Sequence, residues 1–164
     1  MPAELALVEV TGVSGEIVAP EWLARAETVH RQLRDRLPAD YAQRLAEVFA
    51  GGARMTLAVE DAEVRGVAVW RLMQNTYEGA RLYVDDLVTD AAHRSRGIGR
   101  FLLGGLEARA RLLGCDVVAL DSGTQRTAAH RFYFREGFVI PSFCFRKSLS
   151  WGMVYMECTK CYNC

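Results

Sequence analysis

The sequence carries no excess of charge of either sign, because 20 Lys and Arg residues balance 20 Asp and Glu residues. Bulk electrostatics therefore favours neither nucleic acid nor an anionic membrane surface as a partner. No apolar run approaches the ~18 residues of a membrane-spanning helix. The first ten residues also lack a basic segment followed by a long apolar stretch, so no secretory signal is predicted. We expect a cytoplasmic protein with neither a nucleic-acid nor a membrane partner.

Cysteine is scarce, and its placement argues against disulfides and against a metal centre. Disulfides are rare in cytoplasmic chains. Cys115 and Cys144 lie in apolar runs, where a thiol is most simply a small core side chain. The other three cysteines form a Cys-x-x-Cys-x-x-Cys pattern from Cys158 to Cys164. Zinc and iron–sulfur sites need about four ligands, and no histidine adjoins these three, so we predict no metal site.

The chain is predicted to contain one domain and a short appendage. Its 164 residues are 51% hydrophobic, which suffices for one domain with a sizeable core. No internal repeat, low-complexity segment or interior linker interrupts it. The last fifteen residues differ, because they hold three of the five cysteines and no arginine. We predict a domain over residues 1–149 and an appendage over residues 150–164, which is an added strand, a floppy tail or a non-native extension.

Hydrophobic periodicity predicts seven strands and four helices in the order β-α-α-β-β-β-α-β-α-β-β. Asp40 and Gln43 resemble a capping box before the second helix, which begins at Tyr41 and ends at Gly51. The other predicted helices are residues 21–36, 98–113 and 125–135. The predicted strands are residues 5–10, 55–60, 66–73, 81–89, 117–120, 138–140 and 143–149.

Two irregularities and one connection define the predicted sheet. Asp85 and Asp86 are adjacent and break the alternation of their strand, as a β-bulge does. The short acidic turn at residues 61–63 predicts a hairpin, but not a tight two-residue one. The order strand, glycine loop, helix, strand over residues 81–120 predicts a βαβ unit with a parallel pair of strands.

The loop of this βαβ unit is suited to bind a phosphate group. Its sequence is Arg94-Ser95-Arg96-Gly97-Ile98-Gly99-Arg100. The first N–H groups of the following helix lack intrahelical partners, the glycines allow close approach, and the arginines add positive charge. The chain has no Gly-x-x-x-x-Gly-Lys-Ser/Thr loop, and Leu102 stands where a dinucleotide motif needs its third glycine. The alternative is an ordinary helix start with glycines for turning.

Two motifs together resemble those of the GCN5-related N-acetyltransferase (GNAT) superfamily. Residues 94–99 fit its Arg/Gln-x-x-Gly-x-Gly/Ala pyrophosphate motif, and residues 129–138 resemble its Ala-x-x-Leu/Phe-Tyr-x-x-x-Gly-Phe signature. The resemblance covers residues 4–149. One position departs from the pattern, because Arg126 stands where many members have an asparagine, so the role of that asparagine is not transferred. The second motif also resembles acetyltransferases of small amines, including aminoalkylphosphonates.

The resemblance implies transfer of an acetyl group from acetyl-coenzyme A (acetyl-CoA) to a primary amine of a small molecule, by direct attack in a ternary complex. It implies an α/β (α+β) fold with a mixed, mostly antiparallel sheet of about seven strands, flanked by four helices. The fourth and fifth strands of this sheet would be parallel and splayed apart. Because dimers are common in the family, a homodimer is also implied. The residues that would bind the pyrophosphate are Arg94, Ser95, Arg96, Gly97, Ile98, Gly99 and Arg100. The main chain of Leu87, Val88 and Thr89 would bind the pantetheine, and one of its N–H groups would polarise the thioester carbonyl.

The resemblance also supplies candidates for proton transfer. A tyrosine is protonated at neutral pH and can donate to a departing thiolate, which makes Tyr133 the candidate general acid. Asp85 and Asp86 are candidate bases that would take the amine proton through a water or attract the ammonium group. Adjacent residues of a regular strand face opposite sides, so only one is expected in the cleft unless the bulge changes this. The alternatives are a packed tyrosine and solvated carboxylates paired with arginines.

Weaker candidates for the acceptor pocket are Trp70, Tyr77, Glu78 and His130, although a tryptophan such as Trp70 is more often part of a core. His30, in the first helix, is interpreted as a surface or half-buried residue without a catalytic role. Three other functions stay open: acetylation of a protein N-terminus or lysine, a non-catalytic acyl-CoA-binding or interaction module, and a redox or metal protein that acts through the cysteine tail.

Overall fold

The structure, a computed structural model, describes residues 4–149. These residues belong to two compact units, 4–123 and 124–149. The predicted domain boundary at residue 149 coincides with the end of the described residues, and the cysteine pattern lies beyond them. Both stay predictions. None of the described helices is long and apolar enough to cross a membrane.

The first unit is a five-stranded sheet with helices on both faces. The strands follow the order of the chain, β1-β2-β3-β4-β5. They are β1 (Ala6–Glu9), β2 (Ala53–Glu60), β3 (Glu63–Asn75), β4 (Gly79–Thr89) and β5 (Val117–Leu120). The helices of this unit are α1 (Pro20–His30), α2 (Tyr41–Ala50) and α3 (Ile98–Leu112), with a 3-10 turn at Ala91–His93.

The sheet is mixed, as predicted. Neighbouring strands from β1 to β4 are antiparallel, and β4 and β5 are parallel. One face packs against α1 and α2 through a cluster that includes Leu23, Phe49 and Val69, and we call it the α1/α2 face. The other face packs against α3 through a cluster that includes Trp70 and Leu102. Both faces are therefore buried, which explains the near-continuous apolar runs of β2 and β3.

The end of α1 departs from the prediction. The helix stops at His30 rather than Arg36. Pro38 disfavours helical backbone in the residue before it, and Arg31 donates to the carbonyls of Leu37 and Pro38, each at 2.6 Å. These two bonds stabilise a compact turn in place of further helix. The second helix begins as predicted, because the Asp40 side chain accepts from the Gln43 N–H at 2.9 Å.

The hairpin between β2 and β3 corrects a second expectation. Glu60 pairs with Glu63, so the turn is a tight one of two residues, Asp61 and Ala62. Their φ values are +52° and +60°, the left-handed conformation of the turns that suit the twist of a hairpin. Alanine rarely takes this conformation, and without a glycine the sequence carried no signal for a tight turn.

The second unit holds α4 (Thr127–Arg135) and the residues that follow it. The predicted count of seven strands is wrong for the described chain, because residues 138–140 and 143–149 carry no strand there. An apolar run becomes a strand only where a neighbouring strand accepts its backbone hydrogen bonds. Pro141 also removes one N–H donor from this segment.

Candidate functional site

A β-bulge lies in the middle of β4, as the adjacent aspartates predicted. Val69 of β3 pairs with Asp86, whereas the next residue, Trp70, pairs with Val84. Asp85 is therefore the extra residue on β4. A bulge of this kind disturbs the alternation of side chains between the two faces of a sheet.

The bulge directs both carboxylates to the α1/α2 face. Asp86 lies opposite Val69, which belongs to the core of that face. The Asp85 carboxylate accepts hydrogen bonds from Arg71, two residues beyond Val69 on the same side of β3. A regular strand would have turned one of these carboxylates toward α3. The bulge thus explains how two adjacent acidic residues share one side of the sheet.

Asp86 is the more constrained of the two carboxylates. Its Oδ2 bonds to His30 Nε2 at 2.9 Å, and its Oδ1 accepts from Arg34 Nε at 2.7 Å. Burial raises the pKa of Asp86, but the hydrogen bonds from His30 and Arg34 outweigh burial and hold the pKa below its usual value. Asp86 is therefore an ionised carboxylate fixed by partners on two sides.

Asp85 has fewer partners and more exposure. Its Oδ2 accepts from Arg71 Nε at 2.8 Å and from Arg71 Nη2 at 2.6 Å. The side chain is 26% exposed, compared with 12% for Asp86. Each aspartate is paired with one arginine, Asp86 with Arg34 and Asp85 with Arg71, which matches the alternative of carboxylates paired with arginines.

The pairing of β4 with β5 ends where the bulge begins. The parallel register covers only Arg81 to Val84 of β4 and stops at Leu120 of β5. The N–H of Asp90, just after β4, donates to the carbonyl oxygen of Arg65 in β3 at 2.9 Å. In an antiparallel ladder, the N–H and C=O groups of every second residue point to the same neighbouring strand. Those of Val88 therefore also point to β3, whereas those of Leu87 and Thr89 point away from β3, to the edge that β5 leaves unpaired. Of the three residues predicted to bind pantetheine, Leu87 and Thr89 present main-chain groups to that edge.

The glycine loop precedes α3 and has an unusual backbone. Ser95 and Gly97 have φ values of +62° and +82°, and Gly97 immediately precedes the first helical residue, Ile98. Successive N–H groups in such a conformation converge on a concave anion site, and the helix N-terminus adds positive potential. Ile98 is buried and anchors the loop to the sheet.

Formal positive charge surrounds this loop. Arg94, Arg96 and Arg100 are all exposed, and Arg96 Nη2 lies 3.4 Å from Glu60 Oε1. The main-chain donors, the helix N-terminus and the guanidinium groups together fit a pyrophosphate, which carries negative charge and accepts hydrogen bonds. The loop therefore has the donor set that the phosphates of acetyl-CoA require.

A polar cluster fixes the chain between β4 and this loop. Asp90 accepts from Gln32 Nε2 at 3.1 Å and pairs with His93 Nδ1 at 2.6 Å. Gln32 in turn accepts from the N–H of Ala91 at 2.8 Å. The hydrogen bond from Gln32, together with that from His93, lowers the pKa of Asp90. The residues that follow α1 thus hold the start of the loop.

Tyr133 is fixed within the second unit by the end of α4. Phe138 donates its N–H to Tyr133 O at 3.0 Å, Gly137 donates to Phe134 O at 3.2 Å, and Gly137 has a φ of +87°. This pattern is a Schellman cap, and the rings of Tyr133 and Phe138 pack 5.7 Å apart as such a cap favours. The Gly-Phe of the second motif is thereby explained as the support of its tyrosine.

The environment of Tyr133 favours the protonated phenol. Burial raises its pKa, and the charge of Arg126 offsets only part of that shift. His130 lies one turn earlier on α4 and is half-buried. Both residues belong to the second unit, whereas the carboxylates and the glycine loop belong to the first.

Three predicted acceptor residues lie apart from the two carboxylates, Trp70 because it faces the other side of the sheet and Tyr77 and Glu78 because they lie at the far end of β4. Trp70 is 4% exposed, and its Nε1 donates to Thr56 Oγ1 at 3.0 Å in the core against α3. Tyr77 and Glu78 form the turn before β4 and contact Arg81. At about 3.4 Å per strand residue, Glu78 is roughly 24 Å from Asp85 at the bulge. The structure does not bring these side chains together with the two carboxylates.

The residues that surround the carboxylates were missed by the sequence analysis. His30 is 2% exposed, so its interpretation as a surface or half-buried residue is wrong. Arg34, Arg71 and Tyr41 complete the cluster. Each lies on a different element or turn, and no spacing in the sequence relates them to residues 85 and 86.

Comparison with known proteins gives a consistent set of similarities. The model of the acetyltransferase (GNAT) family matches residues 19–138. The uncharacterized N-acetyltransferase YhdJ of Bacillus subtilis (strain 168) is 37% identical over 130 residues, which are 77% of this chain and 91% of that protein. The aminoalkylphosphonate N-acetyltransferase of Salmonella typhimurium is 32% identical over 94 residues, which are 57% of this chain and 61% of that protein.

A solved structure extends the similarity to the fold. Aminoglycoside N-acetyltransferase AAC(6')-Iy, in complex with CoA, has a TM-score of 0.76 and 15% sequence identity. The similarity covers 92% of this chain and 98% of that one. At this identity the comparison shows a shared fold and carries no residue from one protein to the other.

Proposed function

Given that the chain belongs to the acetyltransferase (GNAT) family and is an acetyl-CoA-dependent N-acetyltransferase, we propose that its acceptor is the primary amine of a small molecule. The observation that carries the proposal is the β4 bulge, where two carboxylates share one face beside the end of the β4–β5 pairing. An ammonium group is a natural partner for carboxylates at such a point. A relative whose name specifies an aminoalkylphosphonate substrate supports the small-molecule class.

In this proposal the glycine loop and the β4 edge hold the co-substrate. Residues 94–100 bind the pyrophosphate of acetyl-CoA through main-chain N–H groups and arginines. The main chain of Leu87 and Thr89 bonds to the pantetheine as an added strand would. One of these N–H groups donates to the thioester carbonyl oxygen, where negative charge develops during attack.

The carboxylates prepare the acceptor. An ammonium nitrogen has no lone pair, so a proton must leave before the nitrogen attacks the thioester carbon. Asp85 or Asp86 attracts the ammonium group and takes the proton through a water. The new C–N bond forms and the C–S bond breaks, and the departing thiolate receives a proton from the Tyr133 hydroxyl. The nitrogen loses its second proton to solvent as it becomes an amide nitrogen, and solvent returns a proton to the Tyr133 phenolate.

Turnover assays with different acceptors test the proposal. We would measure release of the free CoA thiol with an aminoalkylphosphonate, an aminoglycoside and a peptide that carries a free N-terminus and a lysine. Turnover of a small amine with no turnover of the peptide is expected. Turnover of the peptide alone would contradict the small-molecule class and support protein acetylation. The implied homodimer is a separate prediction, which light scattering tests.

Tyr133→Phe tests the general acid. The variant keeps the ring and its packing on Phe138 but loses the hydroxyl that would protonate the thiolate. We expect acetyl-CoA to raise its unfolding midpoint as in the wild type, while kcat falls by about 10²-fold or more. Unchanged kcat would remove Tyr133 from the mechanism, and a lost acetyl-CoA shift would instead indicate a defect in binding.

A further inference from the structure

We propose that His30 is a positioning residue of this enzyme, which fixes the Asp86 carboxylate at the bulge through a buried Tyr41–His30–Asp86 chain. The inference rests on the proposed function, because it assigns a role in preparing the acceptor amine. His30 does not touch the acceptor in this account; it acts through Asp86.

The chain is continuous and buried. His30 Nδ1 lies 2.9 Å from the Tyr41 hydroxyl, and His30 Nε2 lies 2.9 Å from Asp86 Oδ2. His30 is 2% exposed and Tyr41 is 3% exposed. Their rings meet edge to face at 5.7 Å. The last residue of α1 and the first residue of α2 are thereby joined to the bulge of β4.

The hydrogen-bond partners determine which nitrogen of His30 carries the proton. Asp86 is ionised and also accepts from Arg34, so its oxygens have no proton to donate. His30 Nε2 must therefore donate to Asp86. In the neutral ring Nδ1 then has a lone pair and accepts from the Tyr41 hydroxyl. This single tautomer gives every polar atom of the chain a partner.

The charged groups around the chain favour the same arrangement. Arg31 and Arg34 follow α1, and Arg31 stacks over the Tyr41 ring at 5.9 Å. Glu27 of α1 pairs with Arg31. On the sheet side, Asp85 of β4 pairs with Arg71 of β3. Each carboxylate near His30 is therefore matched by a guanidinium, and the negative charge of Asp86 is stabilised where it stands.

If His30 only stabilised the core, its hydrogen bonds would not need to end on a residue of the bulge. A satisfied core histidine can bond to any carbonyl, whereas His30 bonds to a residue next to the open end of the β4–β5 pairing. An imidazole N–H that donates to a carboxylate fixes the direction of that carboxylate, as outer hydrogen-bond partners do for the side chains that bind metals. Loss of the Nε2 donor would free the Asp86 side chain and raise the pKa of its carboxyl.

Two substitutions at His30 separate the roles. His30→Leu removes both hydrogen bonds, whereas His30→Gln keeps an amide N–H near the position of Nε2. For His30→Leu we expect kcat/KM for the amine to fall more than tenfold and the acid limb of its pH profile to move up by about one pH unit. The KM for acetyl-CoA should stay within about twofold, and His30→Gln should restore most of the loss. An unmoved acid limb, or equal losses in both variants, would overturn the proposal.

A measurement on the wild-type protein covers the case that His30→Leu does not fold. Nitrogen-15 spectra of the imidazole rings, with the His30 signals identified by their absence in His30→Gln, report the tautomer without any turnover. A protonated Nε2 is expected, and an Nε2 without a proton would overturn the proposal. If no amine is acetylated by the wild type, the proposed acceptor class fails, and these spectra still decide whether the chain to Asp86 exists.

Discussion

The close approach of α3 to the sheet makes Gly66→Ala an informative substitution. Gly66 of β3 lies beneath the first turns of α3. A Cβ atom at this position would lie 2.7 Å from Leu102 Cδ1, 3.0 Å from Ile98 Cγ2 and 3.3 Å from the carbonyl oxygen of Val88. The carbonyl belongs to β4 and cannot yield, so α3 must move away from the sheet or Leu102 must change its rotamer.

The expected cost follows from two opposing terms. Overpacking of a tight core costs about 1–3 kcal/mol, and both Leu102 and Ile98 are almost fully buried. Replacement of glycine by alanine reduces the entropy of the unfolded chain, which returns about 0.4–1 kcal/mol. The net destabilisation is therefore about 1–2 kcal/mol, which lowers the Tm by roughly 2–8 °C for a chain of this size.

Thermal unfolding with and without acetyl-CoA measures both consequences. Because Ile98 begins α3 directly after the glycine loop, a displaced helix also displaces the loop, and acetyl-CoA should raise the Tm of Gly66→Ala by less than that of the wild type. Gly104→Ala is the matched control, since a Cβ at this exposed position of α3 meets nothing within 4 Å. It should stabilise the helix by about 0.5–1 kcal/mol and leave the acetyl-CoA shift unchanged. A Gly66→Ala protein with wild-type Tm and wild-type shift would refute the reasoning.

Two further substitutions test the loop and the buried carboxylate. Gly97→Ala places a Cβ on a left-handed backbone at a cost of about 1–2 kcal/mol. The free loop of this variant should relax to another conformation and must regain the left-handed one to bind the phosphates, so the KM for acetyl-CoA should rise by roughly five- to thirtyfold. An unchanged KM would mean that the phosphates do not bind to this conformation of the loop. The pKa of Asp86 is lower in the folded protein, so its stabilising contribution is present above the unfolded value of about 4 and disappears as the pH falls through the folded value. The difference in free energy of unfolding between wild type and Asp86→Asn should therefore shrink below about pH 4, and a constant difference in acid titrations would contradict this sign.

Local features of the fold were predictable because their causes are local. The break in alternation at Asp85 and Asp86 identified the bulge, and the Asp40 cap identified the start of α2. Gly114, with a φ of +71°, ends α3 as expected for a glycine after a helix. In each case neighbouring residues alone determine the conformation.

Features that depend on distant residues were not predictable in this way. His30 and Asp86 are 56 residues apart, and neither periodicity nor spacing relates a histidine of a helix to a carboxylate of a strand. Residues 143–149 have the composition of a strand, but a strand also needs a neighbouring strand to pair with, and the local sequence does not show whether there is one. Trp70, a weaker pocket candidate for which a core position was the commoner alternative, lies in the core against α3, but its hydrogen bond to Thr56 was likewise not visible in a local pattern.

The early end of the β4–β5 ladder bears on the tendency of this sheet to associate with other chains. Residues 85–89 of β4 have a pairing partner on one side only in the described ladder, and an unpaired strand edge is a template for association with other extended chains. The bulge twists this edge, which is one of the devices that natural sheets use against aggregation. A pantetheine bound along Leu87 and Thr89 would occupy the same main-chain groups. Bound co-substrate would then also prevent other extended chains from pairing with this edge, and the protein would associate through it most readily when acetyl-CoA is depleted.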